Sequence, residues 1–240
     1  MSKLKVFYPR ETFIKKNVSR VSFLNIFAAV FKMDEVKNKI LDGAIKLYMK
    51  YGVKSLTMDD ISRELGISKK TLYLYVVDKD DLVLQAMRMH LSGEEQECNA
   101  VFNQLNNPIV QMIDVIKWQF KTNGKLNQSA LFDLKKYHVD SFTEFLAFKE
   151  RSIKPRLIDN LKRGIETGLY HSDLNVESTV QIYLHLIDFS FSPNITGFNT
   201  MAKIMYELVK YHLYSVTSNK GRKILVKELE KFNIELQQFI

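Results

Sequence analysis

Five polar side chains within a seven-residue segment are of the types that bind phosphate groups and base edges. They are Lys69, Lys70, Thr71, Tyr73 and Tyr75. Ammonium groups attract phosphates, and lysine, threonine and tyrosine also reach base edges or sugar–phosphate oxygens when a helix enters a major groove. These residue types therefore indicate recognition of duplex DNA.

Two short helices joined by a tight turn would position this segment. Thr57, with Asp60 three residues later, has the pattern of a capping box and predicts the start of the first helix. Gly66 predicts the end of that helix in a left-handed turn, and Ser68 predicts the N-cap of the next helix. This order of signals is typical of a helix-turn-helix.

Three other interpretations of the segment stay open. Residues 71–77 are rich in aromatic and β-branched side chains, which favour a strand, although the spacing of Leu72 and Val76 favours a helix with both facing inward. Two lysines on an exposed helix are often only a solvated face. Tyr73 could be a half-buried packing residue, because aromatic side chains commonly bridge core and surface.

Helices are also predicted on both sides of the motif. Upstream, apolar residues recur every three or four positions from Val36 to Tyr51, and Gly52 closes that segment. Downstream, Asp78 can cap a long helix that begins at about Lys79. The motif would therefore pack on one helix and lead into another.

Residues 35–88 resemble the TetR family of transcriptional regulators. The resemblance rests on many matching positions: Ile40, Ala44, Tyr48, Tyr51, Gly52, Leu56, Thr57, Asp60, Ile61, Leu65, Gly66, Ile67, Ser68, Thr71, Leu72, Tyr73, Tyr75, Lys79 and Leu82. Two positions depart from it: Val76, where the family often has phenylalanine, and Lys70, where a small residue or proline is common. Lys70 would add a positive charge at the DNA groove.

The resemblance implies a dimeric DNA-binding regulator, a repressor that leaves a palindromic operator when a small molecule binds its larger domain. A ligand there would move residues 80–89 like a lever and misplace the two recognition helices. We expect base edges to be read by Lys69, Lys70, Thr71 and Tyr73, and phosphates to be bound by Thr57, Tyr75 and Lys79. The competing class is a helical dimeric carrier or protein-interaction module for a hydrophobic ligand, without DNA regulation.

Length and composition fit an all-α protein of two domains. The 240 residues include only four prolines and nine glycines, so few positions would interrupt long helices. We expect a helix-turn-helix DNA-binding domain at 33–82 and a helical regulatory and dimerisation domain at 83–240. Breaks are predicted at Asn106–Pro108 and near Gly124, and Pro155 should bend or split a long helical segment.

Residues 1–32 form a basic and apolar extension of doubtful nativeness. They hold seven lysines and arginines against one glutamate, and so contribute +6 of the net charge of +8. The local motif, not overall basicity, therefore carries the DNA-binding prediction. The extension could be an interfacial anchor, an extra basic arm on DNA, or sequence upstream of a true start at Met33. We favour the last, because the residues that resemble the family begin immediately after Met33.

Two late helices, at about 177–191 and 200–216, are the candidates for a homodimer interface. Both carry long apolar stripes, which could equally pack in the core of one subunit. For the effector, the expected pocket walls are Trp118, Phe142, Phe145, Tyr183 and His185, although aromatic residues at helical spacing more often belong to a core. An apolar lining would suit a lipophilic or aromatic effector.

Catalysis, metals and cofactors are not expected. The five histidines lack a metal-site spacing, and the chain has no His-Glu-x-x-His, phosphate-binding glycine loop or nucleophile elbow. The single cysteine, Cys98, excludes an internal disulfide and a multi-cysteine zinc site. With no convincing export signal and no membrane association expected, the cytoplasm is the default compartment.

Overall fold

The computed structural model describes residues 20–104, 107–123, 129–190 and 201–236, and the predicted all-α fold is confirmed over them. The helices are α1 (Arg20–Tyr51), α2 (Met58–Glu64), α3 (Lys69–Leu72), α4 (Lys79–Gln104), α5 (Pro108–Asn123), α6 (Ser129–Tyr137), α7 (Val139–Phe148), α8 (Lys154–Glu166), α9 (Val176–Ser190), α10 (Met201–Val216) and α11 (Asn219–Leu236). The chain divides between Ile40 and Leu41, within α1, into two compact units. The first nineteen residues of the predicted extension lie outside the described residues, as do the side chains of 20–32.

The helix-turn-helix packs on the C-terminal half of α1. Leu41, Ala44 and Tyr48 are buried there, and Gly52 ends the helix with a φ of 83°. From the motif, Ile61 and Leu72 are fully buried. Residues 71–77 form the end of α3 and a series of turns, so the strand interpretation is wrong for this segment.

A second core joins α5, α8, α9, α10 and α11. Its fully buried members include Ile109, Leu161, Leu213, Leu225 and Phe232. The break predicted before Pro108 is confirmed, because α4 ends at Gln104 and α5 begins at Pro108. No prediction was made for α11, although its apolar residues recur at helical spacing. None of the described helices is both long and apolar enough to cross a bilayer.

A π turn, Lys149–Ile153, separates α7 from α8. Pro155 stands at the start of α8 and has no N–H to donate to the carbonyl four residues earlier, so the α-helical ladder cannot run unbroken through this point. The prediction that Pro155 bends or splits this helical segment is therefore confirmed. The π turn sends two polar side chains inward: Lys149 binds Asp188 of α9, and Ser152 binds Glu95 of α4.

Candidate nucleic-acid interface

A reciprocal capping box fixes the start of α2. The Asp60 N–H donates to Thr57 Oγ1 at 3.2 Å, and the Thr57 N–H donates to Asp60 Oδ2 at 3.0 Å. The Thr57 hydroxyl also donates to that carboxylate at 2.6 Å. These hydrogen bonds hold the pKa of Asp60 below its usual value, with the Thr57 side chain as the first cause. Because the hydroxyl proton of Thr57 is already donated, a phosphate at this residue must compete with Asp60 for it.

The turn between α2 and α3 has the geometry that its sequence predicts. Gly66 adopts a φ of 66°, a left-handed conformation in which glycine is the least strained residue. The Ile67 N–H donates to the Ser62 carbonyl at 3.0 Å and closes the end of α2. Ser68 then caps α3, since its Oγ accepts from the Thr71 N–H at 2.9 Å.

The recognition helix is shorter than the sequence suggests. We predicted a helix that carries Tyr73 and Tyr75, but α3 ends at Leu72 after one turn. The next residues continue in tighter turns, in which the Leu74 N–H donates to the Thr71 carbonyl at 3.2 Å and the Tyr75 N–H to the Leu72 carbonyl at 3.1 Å. Such three-residue hydrogen bonds tighten a helix end, so both tyrosines remain on a helical path.

Polar and apolar side chains share the outer surface of this segment. Lys69, Lys70 and Tyr73 are exposed, whereas Thr71 and Tyr75 are half-buried. Leu72 and Val76 are buried beneath them, as predicted. Two exposed apolar side chains were missed, Leu74 at 69% and Val77 at 80%. The signal for Leu74 was available, because it lies four residues after Lys70 and therefore on the same face.

The cations predicted to touch DNA have different surroundings. Lys69 Nζ lies 2.8 Å from Asp59 Oδ1, and this hydrogen-bonded carboxylate raises the pKa of Lys69. In the described part of the chain, Lys70 has no ion-pair partner and projects into solvent. Lys79 is half-buried, and burial lowers its pKa. Lys70 is therefore the cation most available to a phosphate or a base edge.

Helix α6 and His138, the residue that links it to α7, contact the segments that flank the helix-turn-helix. The Lys54 N–H donates to Asp133 Oδ2 at 3.0 Å, and His138 Nδ1 lies 2.6 Å from Asp80 Oδ1 at the start of α4. The Lys54 ammonium also stands 4.9 Å from the centre of the Tyr137 ring. Asp133 and His138 are buried. A displacement of α6 would therefore act directly on both ends of the motif.

The five predicted pocket walls have different neighbours. Phe142 and Phe145 contact each other with ring centres 6.5 Å apart, and Tyr183 stacks on His212 at 4.2 Å inside the second core. The Trp118 indole donates to Glu97 at 2.8 Å. His185 is exposed and bonds the Gln181 carbonyl at 2.7 Å. The described contacts thus do not gather the five side chains around one cavity, and their role in ligand binding stays a prediction.

Metal binding finds no support in the described residues. No group of three or more histidine, cysteine, aspartate or glutamate side chains in them could hold a metal ion.

Comparison with known proteins points to one family. Residues 40–86 match the bacterial regulatory proteins of the tetR family. An HTH-type transcriptional regulator of Mycobacterium tuberculosis is 43% identical over 53 residues, a stretch that spans only 22% of this chain and 22% of the relative. The HTH-type transcriptional regulator YvaF of Bacillus subtilis is 28% identical over 158 residues, which cover 65% of this chain and 80% of YvaF.

Solved structures share the fold. A transcriptional regulator from Saccharomonospora viridis, crystallised with choline, superposes with a TM-score of 0.65 at 17% identity and covers 78% of this chain and 100% of that protein. This likeness extends the agreement from the motif to the helical arrangement of the larger domain. Residues 40–86 therefore form the helix-turn-helix domain of the TetR family of transcriptional regulators, a family of regulators rather than enzymes.

Proposed function

We propose that the protein is a dimeric transcriptional repressor that binds a palindromic operator and is released from it by a small molecule. The observation that carries this proposal is the recognition segment, in which Leu72 and Val76 are buried while Lys69, Lys70 and Tyr73 face outward. A segment anchored in this way can enter a major groove without unfolding. Repression is the sense of regulation that the family resemblance implies, and the cytoplasm is where we expect it.

Apolar side chains on α9 and α10 support a homodimer. Val180, Tyr183 and Leu184 are buried in the core of the subunit, as the alternative interpretation of these helices requires. On other faces, however, Ile182 is 62%, Phe189 64% and Tyr211 65% exposed. Large exposed apolar side chains are costly in water, so a second copy of these two helices is the partner that we propose.

The contacts of α6 support a route from effector to operator. Asp133 of α6 and His138, which directly follows α6, bind Lys54 and Asp80, which lie just before and just after the helix-turn-helix. An effector that shifted α6 would change the position of α4 and hence the spacing of two recognition segments in a dimer. Linkage requires that operator DNA weaken effector binding by the same factor.

The effector site is proposed to include side chains of the larger helical domain. The relative from Saccharomonospora viridis was crystallised with choline, so a small molecule can bind a protein of this fold. Trp118, Phe142, Phe145, Tyr183 and His185 remain candidate contacts, and their different surroundings favour a site that uses only some of them.

Selection from a random duplex library tests the DNA-binding function. Purified protein should enrich a two-fold symmetric sequence whose half-sites lie about one helical turn apart, on the order of 34 Å. Footprinting should then show protection of both half-sites. If no sequence is enriched over random duplex, the carrier or interaction-module alternative is favoured instead.

Substitution of Lys70 identifies what the segment contacts. If Lys70 reads a base, Lys70→Gln should cost about 1–3 kcal/mol at one operator position; if it binds a phosphate, all sequences should weaken and the salt slope should flatten by about one unit. Lys223→Gln, an exposed lysine on α11, is the matched control and should leave DNA affinity unchanged. Equal affinities for Lys70→Gln and wild type would contradict the role of this segment.

A further inference from the structure

A cleft of about 420 Å³ opens between α1, α4 and α5. Its lining residues are Asp42, Ile45, Lys46, Met49, Met89, His90, Gly93, Glu94, Glu97 and Trp118. None of the residues predicted to contact DNA is among them, and of the predicted effector contacts only Trp118 is. The volume falls within the range of about 300–1,000 Å³ that is usual for small-molecule sites.

Negative charge exceeds positive charge in this cleft. Three carboxylates and one ammonium line it, and Lys46 Nζ is already bound by Asp42 at 2.6 Å. The other two carboxylates, Glu94 and Glu97, lie on α4 three residues apart and thus on one face. His90 Nε2 lies 3.4 Å from Glu94 Oε1. The three carboxylates still outnumber the single ammonium of the lining, which favours a cationic occupant.

An aromatic ring stands beside these carboxylates. The Trp118 Nε1–H donates to Glu97 Oε2 at 2.8 Å, so the edge of the indole faces the negative charge. Donation to a carboxylate makes the ring more electron-rich, and tryptophan is the best of the aromatic residues at attracting a cation to its face. The carboxylate and the ring face would therefore attract the same kind of ligand.

The remaining walls are apolar and adaptable. Ile45 and Met49 come from α1, and Met89 comes from α4. Unbranched thioether side chains adjust to irregular shapes and pack favourably against aromatic groups. A small hydrated metal ion would gain nothing from these surfaces, whereas a ligand with an apolar body would bury them.

We propose that this cleft binds an organic cation whose charge is carried by an aromatic or otherwise apolar body. The inference deepens the proposed function by naming an effector class, and only its regulatory consequence rests on that function. Because α1 and α4 flank the helix-turn-helix, an occupant that separated them would alter how the motif is held. Binding itself requires neither DNA nor a dimer.

Two ions of equal shape and opposite charge test the proposal directly. Tetraphenylphosphonium and tetraphenylborate are titrated into the full-length, DNA-free protein, and binding is followed by fluorescence of Trp118, the single tryptophan of the chain. The cation should give a saturable change in emission at concentrations at least about tenfold lower than the anion. The net charge of +8 would by itself favour the anion, so a preference for the cation has to come from the cleft.

Three variants locate the site, with calorimetry as the readout because one of them removes the fluorophore. Glu97→Gln should bind the cation about fivefold more weakly, since it loses one attraction between opposite charges. Trp118→Phe should bind it about threefold more weakly, because phenylalanine attracts cations less than tryptophan does. Glu230→Gln, an exposed carboxylate on α11, is the matched control and should bind as wild type does.

Either of two results overturns the proposal. One is that tetraphenylborate binds as tightly as tetraphenylphosphonium to the wild-type protein. The other is that folded Glu97→Gln and Trp118→Phe both bind the cation with unchanged affinity. Operator selection on the same preparation is scored separately. A protein that binds DNA but not the cation refutes only the cation site. A protein that binds the cation but enriches no DNA sequence refutes only the proposed regulatory function.

Discussion

Two neighbouring lysines of the recognition segment differ in what DNA would have to displace. Lys69 is held by Asp59, a residue of α2, whereas Lys70 faces solvent. We therefore predict that Asp59→Asn, which frees Lys69 and removes a negative charge near the phosphates, raises affinity for random duplex. It should steepen the dependence of log affinity on log salt by up to about one unit.

Fluorescence anisotropy with a labelled duplex at several salt concentrations measures both quantities. Glu166→Gln, at the far end of α8, is the matched loss of an exposed carboxylate and should change neither. Unaltered affinity and slope in Asp59→Asn would mean that the Asp59–Lys69 pair does not restrain DNA binding.

His212 makes stability depend on pH. It is stacked on Tyr183 within the second core, and burial lowers its pKa from 6.5 to about 4. The unfolded chain therefore takes up a proton as pH falls through 6.5, whereas the folded protein resists protonation until about pH 4. Stability is thus lost on acidification through this window, by about 2 kcal/mol between pH 7 and pH 5.

Replacement of the imidazole isolates this contribution. His212→Phe keeps a ring against Tyr183 but cannot be protonated, so its free energy of unfolding should fall less between pH 7 and pH 5. Urea unfolding at the two pH values measures the difference, and His185→Phe, an exposed histidine, should behave as wild type does. Parallel losses in wild type and His212→Phe would show that His212 is not the responsible group.

For individual residues, the roles that depend on neighbours in the sequence could be predicted, whereas the contacts between residues distant in the sequence could not. The roles of Thr57, Gly66 and Ser68 follow from neighbours within a few residues, because capping and left-handed turns are local chemistry. The ion pair of Asp59 with Lys69 depends on how the turn aligns two helices. The stack of Tyr183 on His212 depends on the packing of α9 against α10, which the spacing of apolar residues does not specify.

At the scale of elements, two glycines in helices should respond oppositely to the same substitution. A Cβ on Gly221 in α11 would stand 2.0 Å from the Leu169 carbonyl oxygen, a backbone atom that cannot move aside cheaply. A Cβ on Gly93 in α4 would meet nothing within 4 Å. We predict that Gly221→Ala destabilises the protein by several kcal/mol, whereas Gly93→Ala stabilises it by about 0.5–1 kcal/mol.

Thermal and urea unfolding of the two variants checks this prediction. Each serves as the control for the other, since both add one methyl group to a helical glycine. Similar unfolding midpoints for the two would show that α11 can move away from the segment that contains Leu169.

Most helix boundaries could be predicted because the chain marks them with capping residues and prolines. The length of α3 could not, because the change to three-residue hydrogen bonds after Leu72 has no distinct sequence signal. The role of α6 and of His138, which follows it, was also hidden: Asp133 and His138 bind Lys54 and Asp80, which are far away in sequence. Only the tertiary fold brings these side chains together.

At the scale of the whole molecule, the proposed dimer makes the exposed faces of α9 and α10 essential. Ile182→Glu would place a charge in a buried interface, so we predict that the variant sediments as a monomer at concentrations where wild type is dimeric. It should also lose most of its operator affinity, because a lone subunit can contact only one half-site.

Sedimentation velocity and operator titration measure these two effects. Val226→Glu, a substitution of an exposed apolar residue on α11, is the matched control and should remain dimeric. A dimeric Ile182→Glu variant with wild-type operator affinity would exclude this face as the subunit interface.

Composition predicted the fold class of the whole chain better than it predicted a ligand site. Few glycines and prolines and recurring apolar residues were enough for an all-α fold. The five aromatic and histidine side chains proposed as pocket walls are distributed instead among a core stack, a ring pair, a cleft and the surface. Residue type shows that a side chain could line a cavity, but helix packing decides whether it does.

Because the π turn at Lys149–Ile153 joins α7 to α8, the fold depends on the number of residues in this turn. Deletion of a single residue there would close the wide turn into a regular α-helical one and press Pro155 against the carbonyl four residues before it. Removal of Glu150 or Arg151 would also change the spacing of Lys149 and Ser152 along the helix, so that the two could no longer face Asp188 and Glu95 together. A one-codon deletion at this point would consequently be more damaging than most single substitutions in the same stretch.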